Sequence, residues 1–142
     1  MISENDAGAL ILALHRATHA TLTALQDRLA DLDLTASEIN ALAILADGQP
    51  PSIGELAAAT ATKPTTLTSV LDRLVRRGLV ARQLDPADRR SFLVSLTDQG
   101  RPAASEARAA MRALERTALA TVSDAELAGF RTVTQAIMEV SR

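Results

Sequence analysis

Eight cations fall between residues 63 and 101, namely Lys63, Arg73, Arg76, Arg77, Arg82, Arg89, Arg90 and Arg101, against the four carboxylates Asp72, Asp85, Asp88 and Asp98. The rest of the 142-residue chain carries seven cations against thirteen carboxylates, so a protein of net charge -2 gathers its positive charge in one stretch. Guanidinium and ammonium groups concentrated in this way bind phosphate oxygens. The hydroxyls of Thr65, Thr66, Thr68 and Ser69 lie among them and can both donate and accept hydrogen bonds. A second constellation is His15 and His19, four residues apart and hence on one helical face, with Arg16 beside them. It leaves two readings open, a contact to a small ligand or two exposed histidines with no special task. His-x3-His without cysteine or a helical general-base glutamate is not a zinc-hydrolase signature, and no metal site is expected.

Other chemistries are excluded by what is missing. Without cysteine there is no disulfide framework, no thiolate metal site and no thiol nucleophile. GxSxG, Walker and GxGxxG patterns are absent, the carboxylates sit at helix caps and surfaces, and neither an enzyme nor a cofactor is expected. Aromatic residues make up 1% of the chain, too few for base-stacking platforms. The N-terminal residues MISENDAG lack the basic region and cleavage site of a leader, and no apolar run reaches the ~20 residues that span a bilayer. The expectation is a cytoplasmic protein with no membrane partner.

The elements that position these groups follow from periodicity. Ala and Leu dominate the apolar content, which favours helix. Leu10, Leu14, Ala17, Thr21, Leu25 and Leu29 recur at three and four, predicting a long amphipathic helix from Ala9 to Leu32. Thr35-Ala-Ser-Glu38 is a capping box opening a second helix that runs to about Asp47 and stops at Gly48. Ser52-Ile-Gly-Glu55 opens a short third helix, and Pro64 suits the first turn of a fourth that ends at Gly78. On that fourth helix Leu67, Val70, Leu71 and Leu74 form the buried face, which leaves Thr65, Thr66, Thr68, Ser69, Arg73 and Arg76 on the other side. The period then changes to two: Leu79 to Leu84 and Ser91 to Leu96 read as strands joined by the turn-rich loop 85–90. Thr97 is expected to cap a long fifth helix with Ala104, Ala107, Met111, Leu114 and Ala118 on one stripe, and the box Ser123-Asp-Ala-Glu126 opens a sixth carrying Leu127, Phe130, Val133, Ile137 and Val140.

Helix, short helix, turn, helix and hairpin is the order of a winged helix-turn-helix. The linked segments SIGELAA (52–58), TTLTSVLDRL (65–74), RGLVAR (77–82), DPADRR (85–90) and VSLTDQG (94–100) closely resemble the MarR family of bacterial transcriptional regulators. The resemblance implies a mainly α fold: an N-terminal dimerisation helix (1–33), a winged helix-turn-helix lobe (34–100) and C-terminal dimerisation helices (101–142). It implies a homodimer that binds double-stranded DNA at a palindromic operator, most often as a repressor relieved by a small anionic or aromatic effector. The two recognition helices of such a dimer lie about one DNA turn (~34 Å) apart.

Within that frame the hydroxyls of Thr65, Thr66, Thr68 and Ser69 can meet base edges in the major groove, while Lys63, Arg73 and Arg76 suit phosphate. Ser69 stands where many members carry arginine, and Lys63 where many carry a helix-capping residue, so base readout is expected to be modest. Arg89 and Arg90 extend from the hairpin tip towards a minor groove, with Arg90 the tip reader by resemblance. Asp88 is expected to hold the Arg90 guanidinium in a bidentate pair. The latter half of the first helix borders the family's effector space, which makes His15, Arg16 and His19 candidate ligand contacts. A different class remains open, a winged helix that binds protein instead of DNA, which loss of the basic residues would have favoured. The long apolar stripes of helices one, five and six exceed what a core of about 65 residues can cover, and a second copy of the chain is their expected partner.

Overall fold

The computed structural model describes residues 7–141, so residues 1–6 of the segment read for a leader lie outside the described residues. The elements are α1 (Ala9–Arg28), a turn of 3-10 helix (Ala30–Leu32), α2 (Ala36–Leu45), α3 (Ile53–Ala59), α4 (Pro64–Arg76), β1 (Val80–Leu84), β2 (Phe92–Leu96), α5 (Gly100–Ala118) and α6 (Asp124–Val140). No helix among the described residues is long and apolar enough to cross a membrane.

The core belongs to the middle of the chain. Ile39 and Leu42 of α2, Leu56 of α3, Leu67, Leu71 and Leu74 of α4 and Val94 of β2 are fully buried together. α5 lies along α2 and closes this core with Ala103, Ala104, Ala107 and Ala110, whose small side chains allow the two helices to approach closely. The wing is an antiparallel pair in which Val80 faces Leu96 and Leu84 faces Phe92. Its inner strand gains a short third neighbour, because the Val94 N–H donates to the Pro51 carbonyl at 2.9 Å and Ser52 bridges Leu93.

Local signals set most of the boundaries. The boxes at Thr35–Glu38 and Ser123–Glu126 close in both directions, whereas Ser52 accepts from the Glu55 N–H at 3.1 Å with no return bond from the Glu55 carboxylate. At the end of α4, Gly78 has φ +73°, the Leu79 N–H reaches the Leu74 carbonyl and the Gly78 N–H reaches that of Val75. This is the left-handed glycine cap that turns the chain sharply into β1. Thr97 does cap α5, accepting from the Gly100 N–H at 3.0 Å while donating to the Gly78 carbonyl. One threonine thus ties the start of α5 to the end of α4.

The first helix is shorter than its apolar period predicts. It ends at Arg28, and the chain passes through the 3-10 turn to Asp33 at φ +50°, with Leu29 and Leu34 both buried. A straight helix could not send both leucines into the core, and Arg77 donates to the Leu32 and Asp33 carbonyls at the end of the 3-10 turn. The outer parts of the terminal helices are bare. Leu25 is the buried residue of α1, none is buried on α6, and Leu10, Phe130 and Val140 are 56%, 61% and 85% exposed.

Candidate nucleic-acid interface

α4 is the most strongly two-sided of the central helices: Leu67, Val70, Leu71 and Leu74 are buried, and Thr65, Thr66, Thr68, Ser69 and Arg76 are exposed on the opposite side. Lys63 stands at its N-cap without making a side-chain cap, in contrast to Thr35, Ser52 and Ser123 on α2, α3 and α6. Among the described residues no side chain bonds the first-turn N–H groups of α4, which carry the positive end of the helix dipole to the surface. Thr68 donates its hydroxyl hydrogen to the Pro64 carbonyl at 2.9 Å, which leaves both lone pairs of that exposed hydroxyl free to accept.

The cations divide into paired and free. Arg82 of β1 holds Asp72 of α4 at 2.6 Å and so locks the hairpin to that helix, and Arg101 holds Asp98 at 2.5 Å. Arg73 donates from Nε to Glu38 at 2.8 Å, and Arg77 bonds the Leu32 and Asp33 carbonyls at 2.6 Å each. Lys63, Arg76 and Arg89 make no ion pair among the described residues. The basic surplus of the sequence is therefore partly internal, and the free charge is confined to the start and end of α4 and to the wing tip.

The wing tip departs from the expected clamp. Asp88 lies 3.8 Å from Arg90 Nε by a single oxygen and accepts the Arg90 backbone N–H at 3.0 Å, while the Arg90 side chain is 96% exposed. A short carboxylate closes on an N–H two residues ahead more readily than it reaches a flexible guanidinium, so Asp88 shapes the turn and does not form a bidentate pair. Asp85 does the same for the Ala87 N–H at 2.8 Å.

The histidine cluster is not gathered into a pocket with α5 or α6. His15, Arg16 and His19 are exposed, and Arg16 and His19 border a shallow depression with Ala13, Ala17 and Ala20. A separate groove of about 650 Å3 runs between α1, α5 and α6, lined by Thr18, Leu22, Leu25, Met111, Leu114 and Phe130, with Glu115 and Glu126 at its edge. Among the described residues no group of three or more His, Asp or Glu is placed to hold a metal ion.

Two residues outside the sequence-based set enter the site. Glu38 was legible only as a cap, and Arg77 as one more cation. Their link to Arg73 spans 35 residues between Glu38 and Arg73, a separation no local spacing reveals.

A recognition helix locked to a two-stranded wing, with free cations on both, defines the class as winged helix-turn-helix. The MarR family model matches residues 34–92. An HTH-type transcriptional repressor of Mycobacterium bovis, Mb2911, is 34% identical over 95 residues, covering 67% of this chain and 68% of that protein. The repressor NicR of Pseudomonas putida is 39% identical over 75 residues, 53% of this chain, so that the match spans about half (48%) of NicR. Among solved structures, BpsR of Bordetella bronchiseptica superposes with a TM-score of 0.71 at 30% identity, covering 88% of this chain and 89% of that one. That structure concerns the regulation of BpsR's DNA binding by 6-hydroxynicotinic acid. The chain belongs to the MarR family of transcriptional regulators.

Proposed function

We propose that the protein is a DNA-binding transcriptional repressor that acts as a homodimer on a palindromic operator and is released by a small aromatic effector. The observation that carries this reading is the outer face of α4. Four hydroxyl side chains lie there between free cations, beside a wing whose tip arginines, Arg89 and Arg90, are exposed. In this arrangement Thr65, Thr66, Thr68 and Ser69 meet base edges, Lys63, Arg76 and the outer part of Arg73 meet phosphates, and Arg89 and Arg90 enter the adjacent minor groove. The uncapped start of α4 supplies further N–H donors to the backbone.

The dimer follows from the bare apolar surfaces of α1 and α6, which a second copy covers. The division into an N-terminal helix (1–33), a central lobe (34–100) and C-terminal helices (101–142) is part of the same reading. The groove between α1, α5 and α6 suits the aromatic part of an effector. Its lining includes no lysine or arginine, so an anionic group would have to find its cation outside that lining, with Arg16, His15 and His19 of α1 as the candidate set.

Selection from a random-sequence duplex pool tests the proposal without knowledge of the operator. The expected product is an inverted repeat with half-sites about one turn (~34 Å) apart. A pool that shows no enrichment after repeated rounds overturns the reading.

A further inference from the structure

Glu38 is the one buried charged residue among the described residues, 3% exposed, and its carboxylate is shared by three parts of the fold. Oε1 accepts from Arg73 Nε on α4 at 2.8 Å. Oε2 accepts from the Thr35 N–H at the start of α2 at 3.3 Å and lies 3.7 Å from Arg77 Nη1. Arg77 in turn uses both terminal nitrogens on the Leu32 and Asp33 carbonyls, at the end of the 3-10 turn that joins α1 to α2. A cap needs only an exposed glutamate. Burying the carboxylate costs free energy that its partners must offset, so its placement has consequences beyond capping α2.

Arg73 is half-exposed, and Glu38 takes only its Nε; the two terminal amino groups make no hydrogen bond among the described residues. A guanidinium fixed by Nε in this way keeps one pair of donors free in a set plane, the geometry that a phosphate accepts. The geometry points to Glu38 as the positioning residue of the DNA interface. It holds the Arg73 guanidinium ready for the DNA backbone and, through Arg77, ties the recognition helix to the joint where α1 enters the lobe. This inference rests on the DNA-binding reading above.

Electrostatics alone gives the opposite sign. Removing a carboxylate beside DNA-facing arginines raises the positive charge and should tighten binding, whereas loss of positioning weakens it. The test uses the full chain and the duplex selected by the wild type, at a temperature where circular dichroism shows every variant folded. Glu38→Gln, which can still cap α2, is expected to weaken binding about tenfold and to make the slope of log K against log salt shallower by about 1 per protomer, as one phosphate contact is lost. In an Arg73→Ala background the same substitution should change affinity by clearly less than tenfold, since the share of its effect carried by Arg73 is then already lost. Should Glu38→Gln not fold, Arg73→Lys retains the charge without the fixed plane and is expected to weaken binding in the same direction.

Unchanged or tighter binding by Glu38→Gln, or by Arg73→Lys in its place, overturns the inference and leaves the DNA-binding reading intact. Full additivity with Arg73→Ala does the same. A wild-type chain that selects no duplex overturns both. That case is told apart by the wild type itself, before any variant is made.

Discussion

Arg90 and Asp88 show how one local contact redistributes roles between neighbours. The guanidinium is 96% exposed and only loosely paired, so it is free to enter a groove, while the carboxylate is engaged with the Arg90 backbone N–H at 3.0 Å. Arg90→Ala is expected to weaken operator binding by about 1 to 3 kcal/mol with the fold unchanged, since it removes one minor-groove contact per protomer. Asp88→Ala should cost less, by loosening the turn. Asp88→Asn retains an acceptor for the turn and discards the ion pair, so near-wild-type affinity is expected in a titration by fluorescence anisotropy. Loss of binding by Asp88→Asn equal to that of Arg90→Ala would restore the clamp that the structure argues against.

Elements meet most tightly where the wing leaves the recognition helix. A β-carbon on Gly100 would overlap the Leu79 carbonyl oxygen, which is backbone and cannot move aside as a side chain could. Gly100→Ala is therefore expected to destabilise the protein by about 2 to 4 kcal/mol, read from the midpoint of a urea melt; an unshifted midpoint contradicts the packing described. The start of α6 offers a pH test. The Ser123 backbone N–H and hydroxyl hold the Glu126 carboxyl below the usual glutamate range by bonding its charged form. With the folded pKa depressed, the contribution of this cap is present above the ordinary glutamate pKa and is lost as pH falls through the lowered value. An NMR titration should show Glu126 returning towards its ordinary value in a variant that lacks the serine hydroxyl, Ser123→Ala.

At the scale of the whole molecule, the electrostatics and the assembly make separate statements. Lys63, Arg76, Arg89 and Arg90 from two protomers would release several counterions on binding DNA, for an expected slope of log K against log salt of roughly -4 or steeper. A slope near zero on a tight duplex would be incompatible with phosphate contacts from these groups. The dimer is expected to be obligate, since α6 has no buried residue in a single chain and α1 leaves Leu10, Ile11 and Leu12 exposed. Deleting the chain after Thr121 should give a monomeric or aggregating protein that no longer recognises an inverted repeat. Sedimentation decides this, and a full-length chain that stays monomeric at micromolar concentration contradicts the assembly.

The order of elements and the outer face of α4 were legible in the sequence because the forces that set them are local. Thr35 and Glu38, Ser123 and Glu126, Pro64 and Gly78 mark helix ends through bonds that span a few residues, and the three-and-four spacing of Leu67, Val70, Leu71 and Leu74 assigns the buried face directly. Tertiary structure alone decided how the charges are used. Arg73 with Glu38, Arg77 with the carbonyls of Leu32 and Asp33, and Arg82 with Asp72 join residues that are 10 to 45 positions apart. The early end of α1 belongs to the same class, because Leu29 and Leu34 turn the chain to reach a core built from α2, α3 and α4. A charge count along the chain treats every arginine alike. Folding distinguishes them, since a guanidinium beside a buried carboxylate is held by an interaction that water screens less, and one at a loop tip remains free for a partner.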